Sequence, residues 1–238
     1  MSARETALHA RLAALRERIG RAAERSGRSP DAVRILAVSK TFAAERVLEA
    51  QAAGLRCFGE NRVQEATQKI PEVEAAGPRG IEWHLIGPLQ RNKARRAAQL
   101  FDVIQSVDRP ELAQALDRSA REHGRKLEVL LQINIDEEAQ KAGALPSHAG
   151  EVLAAIDACT GLRPVGLMAI PRARRDPEEV RSSFARLRAL LDALNRGRGS
   201  DPPLRELSMG MSADFEIAIE EGATWIRVGT AVFGERPK

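Results

Sequence analysis

Tyrosine is absent from this chain of 238 residues, and aromatic residues of all kinds make up only 3%. Any mechanism that needs a tyrosine acid or base is therefore closed to it. Single-strand nucleic-acid binding, which stacks bases on aromatic rings, is disfavoured for the same reason. Cysteine is nearly absent too. Cys57 and Cys159 stand far apart and in no CxxC pair, which offers neither a disulfide framework nor a zinc motif and suits a reducing compartment. No run approaches the roughly 18 consecutive apolar residues of a membrane helix. Arg4, Glu5, His9, Arg11, Arg16 and Glu17 leave no apolar stretch for a signal peptide. A cytoplasmic protein with no membrane and no nucleic-acid partner is the expectation. GxSxG, Walker and HExxH motifs are missing, and no GxGxxG follows the first apolar run.

What is present is ordinary for a globular protein: 43% hydrophobic and 29% charged residues. Lysine plus arginine total 37 against 33 acids, a net charge of +4, and only six of the bases are lysines. Arginines interspersed with acids read as a solvated, salt-bridged surface with a mild pull on anionic ligands.

Residues 2–26 carry Leu8, Leu12, Leu15 and Ile19 at helical spacing, and Gly27 and Pro30 close the segment. Eight short apolar runs follow, at 35–40, 55–60, 81–87, 101–107, 127–135, 162–170, 206–212 and 224–234. Helical stretches at 43–53, 61–70, 110–123, 148–158, 178–194 and 213–221 lie between them. Strands that alternate with helices, apolar without strict alternation, predict a parallel sheet covered on both faces. Eight such units at this length predict an α/β fold: a single (β/α)8 TIM barrel over 1–238, with helix 1–26 packed on it. An open doubly wound sheet is the competitor.

Barrel active sites gather at the C-terminal ends of the strands. Strand 1 ends at Ser39-Lys40-Thr41. A lysine at a partly desolvated strand end has its ammonium form disfavoured, and the neutral amine condenses with aldehydes. Strands 7 and 8 end in Ser208-Met209-Gly210-Met211-Ser212 and Arg227-Val228-Gly229-Thr230. Glycines and hydroxyls after these two strands suit a phosphate. Ser212 is otherwise the cap of the helix beginning near Ala213, and Asn61 the cap of the helix after strand 2. Arg227, inside a strand, is either paired with a buried carboxylate or a fixed cation beside a ligand heteroatom. His84, alone in strand 3, reads first as a core residue, and no metal site is expected. A ligand with an aldehyde at one end and a phosphate at the other satisfies both Lys40 and the two loops. Pyridoxal 5′-phosphate (PLP) is one such molecule; a sugar phosphate on a Schiff-base aldolase is the alternative.

The strings AVSKT (37–41), FGENRVQE (58–65), WHLIGPLQRNK (83–93) and LSMGMSADFEIAIEEGATWIRVGTAVFG (207–234) resemble the YggS/PROSC family of pyridoxal phosphate homeostasis proteins. QINIDEEAQKAG (132–143) and GLM (166–168) extend the resemblance. It implies a fold-type III PLP barrel, like the alanine racemase barrel without its second domain. It also implies that Lys40 holds PLP as a Schiff base. Ser212, Gly229 and Thr230 match phosphate-contacting positions, with backbone help from Met209, Gly210 and Met211. Arg227 matches the arginine facing the pyridine nitrogen, and Asn61 and His84 fall in family blocks near the pocket. Many relatives carry Tyr where this chain has Arg62. The implied function is a non-catalytic PLP carrier in vitamin B6 homeostasis, with effects on amino-acid balance and apo-PLP enzymes as recipients. A monomer is expected because the racemase second domain is missing. The alternatives are a weak PLP-dependent racemase or decarboxylase and the Lys40 aldolase; a Lys/Tyr two-base racemase is excluded by the missing tyrosine. Lys141 reads as an ordinary surface lysine.

Overall fold

The computed structural model describes residues 3–77, 80–174 and 176–235. Its strands are β1 (Arg34–Val38), β2 (Cys57–Glu60), β3 (Glu82–Leu85), β4 (Val103–Val107), β5 (Leu127–Ile133), β6 (Leu162–Ala169), β7 (Glu206–Ser208) and β8 (Trp225–Val228). The helices are α1 (Ala3–Arg25), α2 (Ala44–Ala52), α3 (Val63–Ala75), α4 (Ala94–Leu100), α5 (Pro110–Glu122), α6 (Ala149–Asp157), α7 (Arg181–Arg196), α8 (Phe215–Glu220) and α9 (Thr230–Phe233). Each strand pairs in parallel with the next, and β8 returns to β1, so the sheet closes into an eight-stranded barrel. The open-sheet alternative is thereby ruled out. Among the described residues no helix is long and apolar enough to cross a membrane.

Alternation along each strand divides the apolar residues into two sets. One set, including Ala37, Phe58, Leu85, Ile104 and Val129, joins the helices in one large core. The other fills the barrel in two small clusters, Leu36–Ile86–Trp225 and Val103–Leu130–Met168. The expected N-terminal helix is α1, with Met1 and Ser2 outside the described residues. It buries Leu8, Leu12, Leu15 and Ile19 and packs against α8 and α9. Arg18 pairs with Glu216 at 2.7 Å and Arg11 Nε donates to the Val232 carbonyl at 2.8 Å.

Four local expectations are corrected. The apolar run 224–234 is not one strand: β8 stops at Val228, and the Gly229 carbonyl accepts from Val232 and Phe233 to start α9. A continuous apolar run cannot by itself separate a strand from a helical turn. Helix α3 passes through Pro71 to Ala75, because Ile70 and Val73, on either side of the proline, are both buried. Asn61 does not cap α3; Arg62 takes that position without a side-chain bond. Asn61 is instead packed so closely on Gly87 that a Cβ there would lie 2.1 Å from the Asn61 carbonyl oxygen. Ser212 does not cap α8 either. Asp214 takes that position, its Oδ1 accepting the Met211 N–H at 2.6 Å.

Candidate functional site

The barrel closure brings the C-terminal ends of β6, β7, β8 and β1 into one arc of the rim. Lys40 sits two residues beyond β1, half-buried. The loop carrying it is braced from behind. Ser39 is fully buried, and its hydroxyl donates to Glu60 Oε1 at 2.7 Å. The Lys69 ammonium, on α3, donates to the Ser39 carbonyl at 2.8 Å, to Glu60 Oε1 at 2.7 Å and to Glu65 Oε1 at 2.8 Å. Glu65 Oε1 also accepts the Thr41 N–H at 2.6 Å. Thr41 has φ +69°, the left-handed region, which is unusual for a β-branched residue. Such conformations persist only where the surroundings over-determine them, and here the network on one side and Phe42 against Phe233 of α9, 4.8 Å between ring centroids, do so. Burial raises the Glu60 carboxyl above its ordinary range, against the opposing charge of Lys69. The pair braces a loop whose next residue is Lys40.

Arg227 enters from β8 and is 4% exposed. Among the described residues no carboxylate touches it directly, so its carboxylate-paired reading is not met. One terminal nitrogen donates to Ser208 Oγ at 2.8 Å and the other to the Ala169 carbonyl at 2.8 Å. Burial pulls the guanidinium down to about 10, with the charge of Asp214 acting against the shift. It therefore remains a cation at neutral pH, held by neutral acceptors, with donor capacity to spare out of the five N–H groups of a guanidinium. Below it the polar line continues. Ser208 Oγ donates to Gln105 Oε1 at 2.6 Å, Gln105 Nε2 meets His84 Nδ1 at 2.8 Å, and His84 Nε2 meets Glu82 Oε1 at 2.6 Å.

On the same arc, the Thr230 hydroxyl donates to the Ser212 hydroxyl at 3.2 Å, so the loops after β7 and β8 bring two hydroxyls together. Gly210 lies at φ +88°, where a Cβ would be 2.5 Å from Ala218 Cβ, so a side chain there would force the loop off α8. Gly229 stands against Val38, two residues before Lys40. Met209 is buried and Met211 is 39% exposed. Lys141 is more than an isolated surface lysine: its ammonium meets Glu138 Oε1 at 2.5 Å and the carbonyl of Ile170, just past β6, at 3.4 Å.

The structure thus brings Lys40, Met209, Gly210, Met211, Ser212, Arg227, Gly229 and Thr230 to one rim. His84 lies lower, inside the barrel, and connects to that rim through Gln105 and Ser208. Asn61 and Arg62 line a neighbouring cleft of about 530 Å³ with Pro88, Leu89 and Lys93. Sequence reasoning missed Glu60, Lys69 and Glu65, although Glu65 and Lys69 have the i,i+4 spacing of a helical ion pair. It also missed Gln105 and the role of Ser208, for which no local pattern exists.

A family model described as "Alanine racemase, N-terminal domain" matches residues 10–237. A Pseudomonas aeruginosa protein named pyridoxal phosphate homeostasis protein is 47% identical over 207 residues, 87% of this chain and 86% of that one. PipY of Synechococcus elongatus, solved with PLP bound, superposes with a TM-score of 0.83 at 41% identity, covering 95% of this chain and all of that one. An alanine racemase of Clostridium difficile superposes with a TM-score of 0.73 at 15% identity and with 57% of its length, a likeness of fold alone. The chain belongs to the family of pyridoxal phosphate homeostasis proteins, built on the alanine racemase N-terminal barrel.

Proposed function

We propose that this protein binds PLP, holds it by a Schiff base on Lys40, and serves intracellular B6 homeostasis as a carrier and not as an enzyme. The observation that carries the reading is the convergence of three chemistries on one arc of the rim: an amine, a buried cation held by neutral acceptors, and a pair of hydroxyls beside glycines. These residues fit the cofactor. Lys40 suits its aldehyde, Ser212 and Thr230 with the backbone at 209–211 and 229 suit its phosphate, and Arg227 suits its ring nitrogen. The PLP-bound relative PipY supports the same reading.

Bound PLP supplies a reactive aldehyde and an electron-withdrawing ring. Arg227 limits the second property. A guanidinium donates a hydrogen bond but does not readily hand over its proton as a carboxylic acid would, so a ring nitrogen held by Arg227 would stay unprotonated and the ring would be a weak electron sink. Holding the cofactor is unaffected. No tyrosine exists to serve as a second base. In this reading one domain over 1–238 works as a cytoplasmic monomer, apo-PLP enzymes receive the cofactor, and amino-acid balance follows from that supply.

The test is the visible absorbance of the purified protein before and after borohydride, with the modified peptide mapped by mass spectrometry. A yellow protein that bleaches, with pyridoxyl on the Lys40 peptide and none fixed to Lys40→Ala, is the expected result. A colourless protein that takes up no added PLP would overturn the reading and bring the sugar-phosphate aldolase forward.

A further inference from the structure

The opposite mouth of the barrel carries a cluster whose members make none of the PLP contacts proposed above, although His84 connects to that rim through Gln105 and Ser208. β2 and β3 pair with Cys57 beside Glu82 and Gly59 beside His84. In a parallel register these positions share one face, and that face points into the barrel. The Cys57 thiol, a Glu82 carboxylate oxygen and a His84 ring nitrogen consequently all lie within 4.8 Å of one another. No sequence spacing signals this, since 25 residues separate Cys57 from Glu82 and the expectation from sequence was no metal site.

We propose that Cys57, Glu82 and His84 form a transition-metal site of the zinc class at the N-terminal mouth of the barrel. A thiolate, an imidazole and a carboxylate are the borderline-soft donor set that selects Zn(II) over Mg(II) or Ca(II). Three protein ligands with a fourth position open to solvent is the pattern of reactive, water-carrying zinc sites. Access exists: the Glu82 side chain is 44% exposed, Cys57 is half-buried, and clefts of about 430 and 440 Å³ open onto the two residues. The donors stand on two adjacent strands, so their spacing is set by the sheet. Donors bonded at roughly 2.0–2.3 Å to a tetrahedral ion stand about 3.3–3.8 Å from one another, so the present spacings, from 2.6 Å between His84 Nε2 and Glu82 Oε1 to at most 4.8 Å, bracket that value.

The surroundings supply the rest. Metal-bound imidazoles present their other nitrogen to a hydrogen-bonding partner, and Gln105 already stands 2.8 Å from His84 Nδ1. An amide can turn its oxygen to that nitrogen, leaving Nε2 for the metal. Arg34, whose charge acts on both Cys57 and Glu82, is paired with Glu206 and stacked 3.9 Å over the Trp225 ring. Its charge is thus largely offset. A dication with one thiolate and one carboxylate forms a neutral centre, and the thiol proton is released to solvent on binding.

The test is equilibrium dialysis of the full-length protein against Zn(II), with bound metal measured directly, for wild type, Cys57→Ser, Glu82→Gln and Cys159→Ser. One equivalent in wild type and in Cys159→Ser, weakened at least tenfold in Cys57→Ser and Glu82→Gln, is expected. Zn(II) should also slow alkylation of Cys57 in the wild-type protein, a readout that needs no variant to fold. Lys40→Ala should bind Zn(II) like wild type, which separates this outcome from that of the PLP reading. No bound zinc would overturn the proposal, and so would zinc that Cys57→Ser holds equally well, which would assign the uptake to other groups such as the surface histidines.

Discussion

The ammonium of Lys69 donates to Glu60 Oε1 at 2.7 Å behind the loop that carries Lys40, with the two side chains 6% and 0% exposed. A buried pair of this kind is costly to break from one side, because the remaining charge has nowhere to go. Lys69→Met should therefore destabilise the protein by about 3–5 kcal/mol, measured by denaturant unfolding at neutral pH. Replacing both groups, as Glu60→Leu with Lys69→Met, should recover most of that loss. The deficit of the single variant should also shrink as pH falls, since a protonated Glu60 needs no cation. A deficit that is independent of pH would refute this account.

Ser208 is the acceptor that fixes one terminal nitrogen of Arg227. Ser208→Ala leaves a buried guanidinium one partner short. The expected loss is about 1.5–3 kcal/mol of stability, the range for hydrogen bonds to charged groups. The same substitution frees Gln105, so His84 should change its NMR chemical shifts although it does not touch Ser208. Unchanged His84 resonances would mean that the line through the barrel is not continuous.

How much of this was legible depends on the range of the interaction. The eight strands could be read because each is a short run of apolar residues between polar helices, and parallel strands covered on both sides leave that mark. Lys40 could be placed because position at a strand end needs only the chain order. The Glu60–Lys69–Ser39 brace could not, because it exists only once α3 packs on β2 and Lys69 reaches the residue that follows β1. The same holds for Cys57 beside Glu82, which the inter-strand register creates. Helix α9 was hidden inside an apolar run, where length and periodicity carry no distinction. The Asn61 and Ser212 caps failed for another reason. Cap preferences are local, whereas Asn61 is held by Gly87 and Ser212 by Thr230.

The two hydroxyls after β7 and β8 should matter for the phosphate alone. Ser212→Ala with Thr230→Ala should weaken PLP binding by about 1.5–3 kcal/mol per lost bond to the charged group. Pyridoxal, which has no phosphate, should bind the variant and the wild type alike. Titrations followed by absorbance check both ligands, and equal losses for the two would count against a phosphate cradle.

Glycine is required at Gly166 by the neighbouring strand. A Cβ there would lie 1.9 Å from the Glu206 carbonyl oxygen, on the β7 partner with which Gly166 is in register. Backbone cannot yield as a side-chain tip can, so Gly166→Ala should cost roughly 1–3 kcal/mol or separate β6 from β7. Gly150, in the first turns of α6 with nothing within 4 Å of its Cβ position, is the contrast. Gly150→Ala should raise stability by up to about 1 kcal/mol. Thermal unfolding of the two variants side by side checks the sign of each effect.

Asp136 ties three segments of the same rim together. Its carboxylate accepts from the Arg172 N–H at 2.6 Å, the Ser183 hydroxyl at 2.6 Å and the Arg186 guanidinium at 2.7 Å. Burial pushes its pKa up, but these three donors and the charge of Arg174 outweigh it and hold the carboxyl below the usual aspartate range. A carboxylate with a depressed folded-state pKa contributes stability above its unfolded pKa, near 3.9, and loses it as pH falls through the folded value. Asp136→Asn should therefore be less stable than wild type at pH 7. The two urea midpoints should draw together between about pH 4 and the acid limit of the fold. A gap that stays constant from pH 7 to pH 3 would show that Asp136 acts there by shape and not by charge.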